Sequence, residues 1–288
     1  MGMAARSNRR VARRVRRRPR PWPRLRTFQR FSRRRWREVC TIIHTVSKTN
    51  AVMRTLVATT LLFVVFLSLN WVYHAMAKPS EVLFPLDQSL DKSLAQSWKE
   101  YGPLFREHAT PAITPELLAA LAQAEGNGNP VARTYWRWQW SWNPFTWYQP
   151  ASSAVGMLQM TDGTFQTAKR YCIHDHRVVE DGPWHDRSSC WFNSLYTRII
   201  PSHAIEMTAA LLDRSVAREV ATQPRASAKA QHDLAAVIHL CGSKAGHDFA
   251  LHRFRLKPHQ RCGDHDVRTY LTRVGLLKQQ FIKLNTAG

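Results

Sequence analysis

ITPELLAALAQAEGNGNPVA, residues 113–132, is the stretch from which the rest of the chain is read. Thr114-Pro115-Glu116 opens a helix. A hydroxyl stands at the capping position, a proline in the first turn, and an acid near the positive end of the dipole. Gly126 and Gly128 close it. Leu118, Leu121, Ala122 and Glu125 fall at i, i+3, i+4 and i+7, so they share one face. Glu125 thus continues an apolar stripe at the helix end, the kind of place where a carboxyl group can keep its proton. A helix-terminal glutamate is more often simply solvated, so spacing alone does not single it out.

Outward from this stretch the pattern stays mainly helical. QSLDKSLAQSWKEYGPLFREHA, residues 88–109, predicts one or two short helices around Pro103. Further helices are expected at about 162–172, 201–219, 230–240 and 264–283. The one clear strand run is YWRWQWSW, residues 135–142. Its period of two puts Trp136, Trp138, Trp140 and Trp142 on one face.

The N-terminal end is of another kind. Residues 1–54 hold 18 of the 42 Lys and Arg and a single acid, Glu38, so they carry +17 of the net +22. This Arg- and Pro-rich tail has too few aliphatic residues to bury a core and is expected to be disordered. LVATTLLFVVFLSLNWVY, residues 56–73, follows without a charge. It is close to the roughly 20 residues that cross a bilayer. Arg54 and Lys78 flank it, and Trp71 and Tyr73 stand where an interfacial belt is expected. The apolar run is longer, and begins later, than in a cleaved signal peptide.

The positive-inside rule puts residues 1–54 in the cytoplasm and the chain after about residue 78 across the membrane. Residues 78–94 read as a linker. The tail's charge then serves as a topology signal. Contact with anionic lipid is a second use, and a nucleic-acid role rests on the Arg run alone.

Cys172, Cys190, Cys241 and Cys262 all fall on the far side, where two disulfides are expected. Three pairings are open. Cys172–Cys190 with Cys241–Cys262 is favoured, because each closes a short irregular stretch. A zinc site using His174 or His176 is the alternative, but no CxxC pair is present. No metal and no cofactor is expected.

Four segments together resemble one family. Glu125-Gly-Asn-Gly-Asn-Pro-Val-Ala132 is similar to the Glu-Ser-x-Phe-Asn-Pro-x-Ala signature of the soluble lytic transglycosylases, the goose-type lysozyme-like superfamily. Ser153-Ala-Val-Gly156-Met157-Leu158-Gln159-Met160-Thr161-Asp-Gly-Thr164 resembles their Gly-Ala-x-Gly-Leu-Met-Gln-x-Met-Pro-x-Thr motif. Pro201-Ser-His-Ala-Ile205 with Leu211-Leu212 resembles their Pro-x-x-Asn-Ile helix. Asp266-Val-Arg-Thr-Tyr270-Leu-Thr-Arg-Val274 resembles their Glu-Thr-x-x-Tyr-Val-x-x-Val helix. The motifs stand in family order over about residues 95–280.

The resemblance implies a lysozyme-like helical lobe over 95–288; with the transmembrane helix (55–77) and basic tail read from the residues, the fold expected is mainly α. It implies a periplasmic enzyme of the inner membrane that acts on peptidoglycan glycan strands. Glycoside cleavage needs an acid that protonates the leaving oxygen. By the match Glu125 is that acid, between N-acetylmuramic acid and N-acetylglucosamine. It then draws a proton from the muramoyl C6 hydroxyl, which closes onto C1 as a 1,6-anhydro ring. One carboxylate suffices, because the nucleophile comes from the substrate. Gln159 and the backbone of Gly156 and Met157 would line the subsites, with Tyr270 among the substrate-binding residues.

The sequence departs from the family at several points. The serine after the glutamate is Gly126, the aromatic two positions on is Gly128, and the proline of the second motif is Asp162. The family's Tyr-Asn-Ala-Gly segment, whose Tyr lies against the glutamate, has its nearest match at His239-Leu240-Cys241-Gly242. His239 then either bonds Glu125 or packs as an ordinary helical histidine. A protonated His239 would favour the carboxylate and oppose the acid's role. The aromatic insertion 133–150 has no family counterpart. It is read as packing on the lobe, meeting the membrane, or offering Trp138 and Trp140 as a platform for sugar rings. Glu206 is read as structural, paired with His203. Two rival readings share the fold: a non-catalytic glycan- or envelope-machinery-binding module, and a lysozyme-type hydrolase.

Overall fold

The computed structural model describes residues 50–288 except Asp87, Arg187, Pro224 and Gly288, together with Thr41, His44 and Lys48. The expectations for the basic tail, which holds the remaining cysteine, Cys40, therefore lie almost wholly outside the described residues. The chain divides into two compact units, Met1–Leu67 and Ser68–Gly288.

Helix α1 runs Ala51–Ala77. Its 27 residues rise about 40 Å at 1.5 Å each. It is long and apolar enough to cross a membrane, and its most apolar stretch is buried nowhere. The stretch 78–94, read as a linker, instead folds as two 3-10 turns, Pro79–Leu86 and Gln88–Leu90. The first turn buries Glu81 completely. That carboxylate is met by Lys78 at 3.1 Å, by Arg133 at 2.7 Å and by the Trp136 indole N–H at 3.0 Å. A buried charge needs such partners, and they draw the segment onto the lobe.

Helix α2 (Leu94–Glu107) starts at Ser93 with a capping box to Gln96. It is one helix and not two, with Pro103 accommodated inside it. Helix α3 (Pro115–Gly126) begins as the sequence indicates, with Thr114 Oγ1 accepting from the Leu117 amide. Its surroundings differ from the expectation. Residues Leu117 to Ala122 are all buried, so α3 is enclosed on every side and not striped. Leu117, Leu118 and Leu121 are fully buried. Truncating any one of them to Ala costs about 2–5 kcal/mol.

Helix α4 (Asp162–Ala168) is shorter than expected. It gives way to an unforeseen hairpin, β3 (Tyr171–His174) with β4 (Arg177–Glu180), following a first hairpin of β1 (Trp136–Trp138) and β2 (Tyr148–Pro150). The turn of the second hairpin uses Asp175 and His176, both with positive φ. It lacks the Asn-Gly pair that usually announces such a turn. Helices α5 (Pro201–Val220), α6 (Ala228–Cys241) and α7 (Ser243–Leu251) follow, α7 being unforeseen. A small hairpin, β5 (Arg261–Cys262) with β6 (His265–Asp266), leads into α8 (Val267–Ala287). Asp266 accepts from the Thr269 amide and caps α8. Val267, Tyr270, Val274 and Phe281 form the buried face of α8, which packs along α3.

Both favoured disulfides are present, Cys172–Cys190 and Cys241–Cys262, each with Cα atoms 5.4 Å apart. With Cys172 and Cys190 bonded to each other, His174 and His176 have no thiolate beside them to complete a zinc site.

Candidate active site

Helix α3 ends with Asn127 in the left-handed conformation, its amide bonded to the Ala122 carbonyl. Asn129 is fully buried. Its Oδ1 accepts from the Val131 amide at 2.9 Å, and its amide nitrogen donates to Asp91 at 2.9 Å. This turns Pro130–Ala132 back toward the 155–160 segment. There the Ala132 carbonyl accepts from the Gly156 amide at 2.9 Å and from Gln159 Nε2 at 3.1 Å. Gln159 Nε2 also bonds the Gly156 carbonyl at 2.8 Å. The residues of the first two motifs thus hold each other.

Two close approaches require glycine. A Cβ on Gly126 would lie 2.9 Å from both Cα and O of Met157. Gly156 has φ +83°, and a Cβ there would lie 2.3 Å from the Arg198 carbonyl. Gly126 therefore lets the end of α3 press directly on the second motif, a contact a serine would prevent.

Glu125 stands at the top of this joint with a side chain about one-sixth exposed, at 17%. The Tyr270 hydroxyl, from the first turn of α8, donates to its Oε1 at 2.5 Å. Burial first, and then the neighbouring Glu125, push the Tyr270 phenol well above its usual range, so it remains a donor. His239 Nε2, from the last turn of α6, is 4.0 Å from the same oxygen. That is too far for a hydrogen bond. Burial pushes the His239 imidazole below its ordinary value, against the opposing pull of Glu125 and a hydrogen bond to the Leu158 backbone. Burial thus disfavours the charged form of His239 beside the acid. The hydrogen-bond partner is supplied by Tyr270, with His239 packed alongside. Oε2 of Glu125 accepts no hydrogen bond among the described residues.

The other expected residues are placed as follows. The Met157 side chain is fully buried in the core, so only its backbone can face a ligand. The Gln159 amide nitrogen is engaged in the turn. Trp136 and Trp138 both lie against the Tyr148 ring, at 5.1 and 4.7 Å. Beyond Trp138 the strand ends, and Trp140 sits edge-on to Trp147. The hairpin is fastened to the end of α1, through Asn70 to the Tyr148 carbonyl at 2.5 Å and His74 to the Phe145 carbonyl at 2.8 Å. At its base, Tyr135 donates to Asp264 at 3.1 Å, beside the start of α8.

Glu206 is structural, but its partners are the Ile173 amide at 3.0 Å and the Tyr196 hydroxyl at 2.8 Å. His203 instead stacks on Tyr196. Arg198 was not singled out in the sequence. It bonds the Ser153 and Met160 carbonyls at 2.8 and 2.9 Å and pairs with Asp162 at 2.7 Å. Asp162, which stands at the family's proline, thus anchors the second motif through Arg198.

A groove of about 740 Å³ along α6 and α8, lined by His232, Arg255 and Lys278 among others, does not include Glu125. Comparison of the chain with protein-family models, with curated proteins and with solved structures gives no match.

Proposed function

We propose that this protein is a membrane-anchored peptidoglycan lytic transglycosylase of lysozyme-like fold with Glu125 as its general acid and base. The observation that carries the reading is the setting of Glu125: one oxygen held by the Tyr270 hydroxyl at 2.5 Å, the largely buried His239 ring 4.0 Å from that same oxygen, and the other oxygen unbonded among the described residues. A carboxyl group in such a setting has one oxygen fixed in direction and one that can carry a proton to a leaving group. Glu206, the other acid considered, is engaged by Ile173 and Tyr196. With one carboxylate the nucleophile can come from the substrate, and the C6 hydroxyl of muramic acid supplies one.

In the proposed reaction Glu125 gives its proton to the oxygen between N-acetylmuramic acid and N-acetylglucosamine, and the C1–O bond breaks. The C6 oxygen then bonds to C1 while its proton passes to the Glu125 carboxylate, which restores the acid. No water is consumed. The substrate is the glycan strand of peptidoglycan. Helix α1 is proposed to span the inner membrane, with the lobe in the periplasm and the basic tail in the cytoplasm against anionic lipid.

The test uses the full chain in detergent with purified peptidoglycan. Anhydro-ended muropeptides, detected by mass, are expected and are lost by at least 10²-fold in Glu125→Gln. Reducing-end products in their place would assign a hydrolase. Glycan binding without any product would assign a non-catalytic module.

A further inference from the structure

The aromatic hairpin has a second use that the glycan chemistry does not explain. From Trp138 to Pro150 it carries no charged residue, and it contains three tryptophans ahead of its 3-10 turn at Pro144–Thr146. Trp140 and Trp142 are 91% and 105% exposed, and Trp138 is also exposed. Large indoles standing free on a lobe mark a surface that is covered by something.

The anchorage of the hairpin indicates what covers it. Asn70 and His74 are buried polar residues of α1, just where its apolar run ends, and both bond hairpin carbonyls. Tyr73 stacks on Phe145 at 5.1 Å between centroids. The hairpin is thereby held at the level of Trp71 and Tyr73, the part of α1 that an interfacial belt would occupy. Tryptophan with an uncharged polar spacer such as Gln139, Ser141 and Asn143 suits that layer, because the ring is apolar and the N–H remains wet.

We propose that the hairpin from Trp136 to Pro150 is a membrane foot, with Trp138, Trp140 and Trp142 seated among the lipid head groups beside α1. This rests on the reading of α1 as membrane-spanning. The foot would hold the lobe at a fixed orientation to the bilayer and exclude these indoles from the glycan.

The test uses the full chain with Cys40→Ser, reconstituted in phosphatidylethanolamine–phosphatidylglycerol vesicles. A nitroxide is attached at Trp142→Cys, and in a second variant at Trp140→Cys. Relative collision with oxygen and with a water-soluble nickel chelate reports depth. Trp184→Cys, an exposed tryptophan of the lobe, gives the aqueous reference, and Leu62→Cys gives the hydrocarbon reference. The labels at 140 and 142 are expected to favour oxygen several-fold over the label at 184, and less than the label at 62. If 62 reads as hydrocarbon while 140 and 142 match 184, the foot is overturned. Protection of those labels by soluble glycan oligomers would then assign a sugar platform. If 62 itself reads as aqueous, the spanning reading fails and the foot fails with it.

Discussion

The single hydroxyl of Tyr270 bonds Glu125, and of the two roles open to His239 the structure shows the packed one. In the proposed reaction Glu125 becomes a carboxylate as its proton leaves, and a hydrogen bond to a charged group contributes about 1.5–3 kcal/mol at that point. Tyr270→Phe is therefore expected to lower kcat by about ten- to a hundred-fold while the far-ultraviolet dichroism stays unchanged. An unaltered kcat would show that the bond is only architectural. Gly126 is the second residue that matters at this scale. Restoring the serine of the resembling family, Gly126→Ser, places a Cβ 2.9 Å from the Met157 backbone. Overpacking of this kind costs about 1–3 kcal/mol, so a lower melting temperature is expected, with loss of activity as the Glu125 joint opens. A variant of wild-type stability would mean the 155–160 turn yields freely.

Among the elements, the Cys241–Cys262 disulfide connects the two that meet at Glu125. Cys241 ends α6, two residues after His239, and Cys262 lies in the hairpin that feeds α8 and Tyr270. The loop it closes spans 21 residues, for which the entropic contribution is about 3 kcal/mol. Replacing both cysteines with serine is expected to remove about that much stability and also to lower kcat, since the spacing of His239 and Tyr270 relaxes. Breaking Cys172–Cys190 in the same way should affect stability alone. Equal effects of the two on kcat, measured under conditions where both variants remain folded, would contradict this assignment.

At the scale of the whole molecule, burial of imidazole sets the response to acid. His239 and His108 are held below their ordinary value, chiefly by burial, and His232 is held down to about 4 by burial and by Lys278. For such groups the unfolded chain takes up the proton first. Their contribution is fully present above about pH 6.5 and is lost as pH falls below it. The limiting slope is about 1.4 kcal/mol per pH unit for each fully buried imidazole. The melting temperature of the full chain in detergent should therefore fall between pH 7 and 5. A flat or rising profile across that window would show that these histidines are accessible to protons in the folded state.

Much of this architecture was legible in the residues because the cues are local. Thr114-Pro115 starts a helix wherever it folds, the glycines after Glu125 end one, and the uncharged run of α1 admits few other uses. The favoured cysteine pairs were neighbours in sequence, so short closure brought them together. The hairpin at 171–180 escaped notice because its turn, at Asp175 and His176, carries neither a glycine nor an Asn-Gly pair to announce it. What surrounds Glu125 required the tertiary structure. Tyr270 is 145 residues away, and no periodicity records which side chain of a distant helix will reach a given carboxylate. The enclosure of α3 and the burial of His239 have the same origin. The sequence by itself determined where α3 begins and ends, because capping, backbone hydrogen bonds and apolar spacing act over a few residues. Only the packing of α3 and α6 against α8 decided which groups share the environment of Glu125, because burial and electrostatic contact depend on neighbours in space.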